Sequence, residues 1–275
     1  MAFHSDDPDA AEALPPEQEP GAAEPSPDSL PDSSAEELTP KEPEEDPPGP
    51  DLPAPPLDEI RDAMQWAFAD QEVEAELLDT FSEHARLVLE GNRKVNMTAI
   101  LDPKELAVKH YLDSWRVAQF LPMFGHTVLD IGTGAGFPGI PIAITEPMAR
   151  VTVLDSTRKK TDFVQTSVDA LGLKNVEVHW GRAEDWLLTN RADIVLFRAV
   201  SSIRENVRTL RKGRHAINDV VMLKGKSWSR EVRAAEREVE RLGFSLDTVW
   251  EHSLPDGMGE RAILLYRAPN SQGGQ

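Results

Sequence analysis

The stretch from Thr127 to Asp155 restricts the fold more than any other part of the chain. An apolar run, Thr127–Ile131, leads into a loop carrying Gly132, Gly134 and Gly136. A second β-branched run then ends at Asp155. The alternate glycines let a ligand approach bare backbone, and the second carboxylate is placed to accept hydrogen bonds from ribose hydroxyls. Strand, glycine loop, helix and acid-tipped strand together call for a parallel sheet with a nucleotide-type cofactor at its carboxyl edge. Packing alone would not require three alternate glycines and two strand-end carboxylates.

Two cofactors fit that description. Gly134-x-Gly136-x-x-Gly139 matches the dinucleotide fingerprint, with Asp155 at about the expected ~20 residues beyond. Asp130, two residues before the glycine loop, weighs against a dinucleotide, because a fixed anion there is unhelpful to a pyrophosphate at a helix N-terminus. S-adenosylmethionine carries a sulfonium and an α-ammonium group and no phosphate, so a nearby carboxylate suits it. The stretch favours S-adenosylmethionine, with a dinucleotide as the alternative.

Charge divides the 275 residues unevenly. The net charge is −19, yet residues 1–56 hold 16 acidic side chains, one lysine (Lys41) and 15 of the 22 prolines. That acidic, proline-rich segment cannot bury enough apolar surface to offset its ordering entropy and is expected to be disordered. The overall acidity therefore says little against an RNA partner for the remainder. The absence of cysteine excludes disulfides, thiolate zinc sites and cysteine nucleophiles, and no metal is expected. With no membrane-length apolar stretch and neither a basic start nor a signal-like core at the N-terminus, the expectation is a soluble cytoplasmic protein, monomeric.

Helical spacing runs from Leu57 to Asn92, with Leu77, Leu78, Phe81, Ala85 and Val88 on one stripe. Asp102-Pro103 opens a further helix, Asp as N-cap and Pro at the first helical position. Strands are then expected at Thr127–Ile131, Val151–Asp155, Val176–Trp180, Ile194–Phe197 and Val220–Leu223. Leu246–His252 and Ala262–Tyr266, joined across Pro255-Asp256-Gly257, must pair antiparallel. The predicted organisation is a tail (1–56), a helical region (57–125), an α/β domain (126–268) and a flexible end (269–275). Five parallel strands closed by an antiparallel pair is the layout of class I methyltransferases, a Rossmann-like fold with a mixed seven-stranded sheet. This again favours S-adenosylmethionine.

In order along the chain stand Asn92-x-x-x-Asn96-Met-Thr-Ala-Ile, His110-x-x-Asp113-Ser114, Val128-Leu-Asp-Ile-Gly-Thr-Gly-Ala-Gly-Phe-Pro-Gly-Ile-Pro141, Leu154-Asp-Ser-x-x-Lys-Lys160, Arg198-Ala-Val and Leu223-Lys-Gly225. As an ordered set over roughly residues 57–268, they resemble the RsmG (GidB) family, bacterial methyltransferases that modify guanine N7 in 16S ribosomal RNA. The resemblance implies S-adenosylmethionine as cofactor and 16S rRNA or the small ribosomal subunit as partner. It further implies that Gly132, Phe137, Ala183, Glu184 and Arg198 contact the cofactor, joining Asp130, Gly134, Gly136 and Asp155. Several have a plainer alternative. Glu184 can serve a helix start with Asp185, and Phe137 can be core. Arg198 can meet the cofactor's carboxylate, an RNA phosphate, or Asp130 or Asp155 in a salt bridge. His110 and Asp113, at i and i+3, either bond locally or face the substrate.

No general base is required for N7, which has an in-plane lone pair and no proton, so the expected mechanism is positioning, with Arg198 and His110 as candidates for orienting the substrate. Phe197-Arg198-Ala199-Val200 lacks the Asn/Asp-Pro-Pro-aromatic clamp used on exocyclic amines. Three basic clusters are candidates for RNA phosphates: Arg158, Lys159 and Lys160; Arg204, Arg208 and Arg211, extended by Lys212 and Arg214; and Lys224 and Lys226. All three are expected on the cofactor side of the sheet. Competing readings are a class I methyltransferase for another RNA, a small molecule or a protein, and a non-catalytic nucleotide sensor.

Overall fold

The computed structural model describes residues 49–50 and 52–268. The expectations for the acidic segment through residue 48 and for the end at 269–275 fall outside them. Close to the boundary placed at residue 56, Ala54 already packs against the helical cluster described below.

The Leu57–Asn92 stretch forms two helices, α1 (Leu57–Ala67) and α2 (Ala75–Asn92). Phe68–Glu74 separates them, a stretch where polar residues interrupt the apolar stripe. Asn92 ends α2 with its side chain turned onto the next loop: Oδ1 accepts from the amides of Met97 and Thr98. The Asp102-Pro103 start forms as expected, Asp102 accepting from the Glu105 amide at 2.9 Å. The helix that follows is not uniform. α3 (Pro103–Leu106) passes through a π-helical stretch, Ala107–Leu112, into α4 (Asp113–Phe120). Wide turns of this kind are rare and concentrate at functional sites.

Next come β1 (Thr127–Ile131), α5 (Gly139–Thr145), β2 (Arg150–Asp155), α6 (Arg158–Leu171), β3 (Val176–Trp180), α7 (Ala183–Thr189), β4 (Ala192–Arg198), α8 (Ile203–Thr209), β5 (Ile217–Gly225), α9 (Trp228–Arg241), β6 (Ser245–Ser253) and β7 (Glu260–Arg267). All seven expected strands are present, several a residue or more longer at their ends. They form one sheet in the order β3-β2-β1-β4-β5-β7-β6. β1 to β5 are parallel, while β7 runs antiparallel between β5 and β6. This is the class I methyltransferase topology. Strand order reverses between β1 and β4, and ligands of open α/β sheets bind above that crevice.

Alternating strand residues serve opposite faces. Leu129, Val195, Phe197 and Met222 pack beneath α7, α8 and α9. Val128, Val153, Leu196 and Val221 pack beneath α4, α5 and α6. A third cluster joins α1, α2 and the α3–α4 helix, and it includes Ala135 and Phe137 from the glycine loop. The helical region is therefore built onto the loop that the sequence marked as the cofactor site. Among the described residues no helix is long and apolar enough to cross a membrane.

Candidate active site

The glycine loop is held from below by two carboxylates. Asp130 is fully buried, and its Oδ2 accepts from Thr133 Oγ1 at 2.6 Å and from the Gly139 amide at 2.9 Å. Burial raises its pKa from 3.8 to about 6 against the pull of those two bonds. The sequence suggested a fixed anion at the lip of the site, close to the cofactor's cationic groups. In the structure Asp130 faces inward and clamps the loop to α5. Asp155, also buried, accepts from the Gly134 amide at 3.0 Å through Oδ2 and from the Thr157 amide at 2.9 Å through Oδ1.

The three loop glycines all have positive φ, at 73°, 59° and 101°. They serve different purposes. A Cβ on Gly132 would come within 2.8 Å of Val200, and one on Gly136 within 2.6 Å of Ile140, so these two permit close packing. A Cβ on Gly134 would meet nothing within 4 Å, so this glycine leaves open backbone beside Asp155. Ala183, buried, and Glu184, partly exposed, begin α7 on the neighbouring strand connection. The Gly181 amide donates to the Asp155 carbonyl and fixes that connection against β2.

Phe137 is buried at 6% exposure. It stacks on His110 with centroids 4.5 Å apart and meets Tyr111 edge-on at 5.1 Å. Of the two roles open to it, the structure supports core: the ring is turned into the helical cluster.

Arg198, at the end of β4, is bound to the π-helical stretch. Its Nη2 donates to the Lys109 carbonyl at 2.7 Å and to His110 Nδ1 at 2.5 Å, and its Nε lies 3.8 Å from Asp113. The expected salt-bridge partners were Asp130 or Asp155; the carboxylate found is Asp113, carried there by the wide helical turn. His110 and Asp113 do not bond each other. Because a guanidinium can only donate, His110 Nδ1 is the acceptor, so its Nε2 carries the proton toward Thr98 Oγ1 at 3.0 Å. Burial first, then the Arg198 charge, hold His110 well below its usual pKa, hence neutral.

The basic clusters are only partly where the sequence put them. Arg158, Lys159 and Lys160 open α6 beside Asp155, with the Arg158 guanidinium 5.1 Å over the exposed Trp180 ring. Lys226 is exposed beyond β5. Lys224 is not available: it is 9% exposed, paired with Glu231 at 2.9 Å and donating to the Ser201 carbonyl at 2.7 Å. The arginine row along α8 also departs from expectation, since a helix following a parallel strand runs back toward the strands' amino ends. Only Arg204, in the first turn, lies near the cofactor edge, and it is tied to the Ala234 carbonyl. Arg208 faces Glu238 at 3.7 Å, and Arg211 is exposed further along the same descent. Arg214 is structural, donating to the carbonyls of Ile217, Leu242 and Gly243 at the start of β5.

Sequence reasoning missed His84, Tyr111, His252 and Arg261. His84 is buried, bonds Tyr111 Oη at 2.9 Å and has its pKa lowered to about 3 by burial. Its place on the apolar stripe with Leu77, Phe81 and Val88 was an available signal. His252 and Arg261 oppose each other in the antiparallel pair and close on Asp113 at 3.5 and 3.8 Å. That convergence is long-range, and nothing local announces it. No group of His, Asp and Glu among the described residues could hold a metal ion.

The model of one protein family, GidB, described as rRNA small subunit methyltransferase G, matches residues 77–256. The chain belongs to this family. Curated GidB relatives are similar over most of their length, each carrying the name ribosomal RNA small subunit methyltransferase G. One from Solibacter usitatus is 40% identical, covering 68% of this chain and 88% of the relative. One from Symbiobacterium thermophilum is 38% identical, covering 75% and 89%. Another from Carboxydothermus hydrogenoformans is 34% identical, covering 71% and 85%. The match spans α2 through β6, so it takes in both the glycine loop and the helical region that holds Phe137.

Proposed function

We propose that the chain transfers a methyl group from S-adenosylmethionine to N7 of a guanine in the 16S RNA of the small ribosomal subunit. The family match over residues 77–256 carries the reading, and the site chemistry supports it. Open backbone at Gly134 and the remaining lone pairs of Asp155 suit a ribose, and Ala183 and Glu184 offer an edge for adenine. Bound there, the cofactor supplies an electrophilic methyl group on a sulfonium. Arg198 is held rigidly enough to orient an anion, whether a carboxylate or a phosphate.

The imidazole nearest Arg198 is not free to take a proton. His110 is neutral, and both of its nitrogens are engaged with Arg198 and Thr98. An acceptor that carries no proton fits such a site. Catalysis by alignment alone can supply about 7–11 kcal/mol in favourable cases. Arg158 and Lys226, exposed at the carboxyl edge, are in position to meet backbone phosphates. The reading brings with it a place in the cytoplasm, where the small subunit is made.

The product tests it. After incubation of the protein with S-adenosylmethionine and small-subunit RNA, borohydride reduction and aniline treatment should cleave the RNA at one guanine. The rate should stay flat with pH near neutrality, apart from effects on RNA binding. A methyl group on an exocyclic amine or a ribose oxygen would overturn the mechanism, because both positions must lose a proton.

A further inference from the structure

A cavity of about 300 Å³ opens over the carboxyl ends of β4 and β5. In the strand order β2-β1-β4-β5 it lies across β4 from the glycine loop, where an acceptor would face the methyl donor. Its charged walls are Asp113, Arg198, Lys224, Glu231 and Arg261. Ala199 rims it on left-handed backbone, φ 52°, a conformation that costs energy in a non-glycine residue and concentrates at functional sites.

Most of these charges have partners. Lys224 and Glu231 pair with each other, and Arg198 is committed through Nη2. Asp113 is different. Its side chain is 4% exposed, and its Oδ2 faces the Nε atoms of Arg198 and Arg261 only at 3.8 Å. Its Oδ1 is buried and lies 3.5 Å from His252 Nε2, too far for a good hydrogen bond, so neither atom is satisfied. A buried acceptor left unmatched is costly, and such groups in native structures call for an explanation.

We propose that this cavity receives the acceptor base and that Asp113 reads guanine through its N1–H and 2-amino donors. The inference rests on the reading above that the acceptor is guanine N7. A carboxylate can take two parallel N–H bonds, as it does from a guanidinium. The adjacent Arg261 offers a donor for O6. N7 lies on the other edge of the purine, left free for transfer. Adenine would turn the N1 lone pair toward the carboxylate and is rejected. The base must be unstacked to enter, as is usual in sequence-specific recognition of RNA.

The experiment compares RNA carrying guanine at the target with RNA carrying inosine there, which lacks only the 2-amino group. For the wild type, inosine should lower kcat/KM by ~10- to 150-fold, the worth of one hydrogen bond to a charged group. In Asp113→Asn the rate on guanine should fall and the inosine penalty should shrink several-fold from the wild-type value, toward the ~2- to 13-fold worth of a neutral hydrogen bond. Asp113→Glu should restore part of the discrimination. The guanine-to-inosine ratio is internal to each protein, so a loss of folded enzyme lowers both rates and leaves the ratio unmoved. Efficient N7 methylation of both RNAs by the wild type would overturn the pocket while sparing the functional reading. A full inosine penalty in Asp113→Asn would do the same. Absence of N7 methylation by the wild type would remove the functional reading and the pocket together.

Discussion

Replacing Asp130 by asparagine tests whether the carboxylate under the glycine loop is a buried clamp. The amide oxygen can keep both bonds that Oδ2 now accepts, from Thr133 and Gly139, but asparagine does not titrate. Burial places the folded pKa at about 6, against 3.8 for the exposed group. Between those values the folded chain holds this proton more tightly than the unfolded chain. Stability contributed by Asp130 therefore grows as pH falls through about 6, and above that the buried charge opposes folding. For this pair of pKa values, the wild type should gain about 2 kcal/mol relative to Asp130→Asn between about pH 7.5 and about pH 4.5. Urea unfolding of both proteins across that range measures the difference. His84 works in the opposite sense: its pKa is lowered to about 3, so its contribution is lost as pH falls below 6.5. Both proteins carry His84, so it cancels. A difference in stability that does not vary with pH would refute the burial of a titrating carboxylate at this position.

Asp155→Ala should weaken S-adenosylmethionine binding by about 1.5–3 kcal/mol in calorimetry, because the ribose loses a charged acceptor and the Gly134 amide loses its tether. Undiminished affinity would mean that the ribose is held elsewhere. Arg198→Lys should lower stability to thermal or urea unfolding by about 1.5–3 kcal/mol and depress methyl transfer, since one ammonium cannot stand both for Nη2 between the Lys109 carbonyl and His110 and for Nε beside Asp113. Retention of both properties would show that charge alone suffices there.

What the sequence revealed was local. The five parallel strands, the antiparallel closing pair, the glycine loop, the Asp155 strand end and the Asp102-Pro103 helix start were all legible, because each depends on periodicity or on backbone rules acting over a few residues. Three things were hidden. The π-helical turn at Ala107–Leu112 has no signature in an apolar pattern, yet it decides that Asp113, not Asp130, faces Arg198. Whether a charged residue is buried depends on chain segments far away in sequence: Lys224 looks like a free cation until Ser201 and Glu231 close on it. Helix direction misplaced the α8 arginines, since spacing shows which residues share a face but not which end of the sheet they reach.

Phe137 connects two parts of the chain that synthesis delivers in a fixed order. The helices that enclose its ring, α2 and the stretch carrying His110 and Tyr111, leave the ribosome before the glycine loop does. The aromatic residues that line the ring's socket are thus all synthesised before the ring itself. A chain begun at residue 126 would keep the sheet and the Asp130 and Asp155 tethers of the loop but would have no socket for that ring. Shortening the protein to its Rossmann-like half would therefore remove the wall against which the glycine loop rests, not merely an appendage.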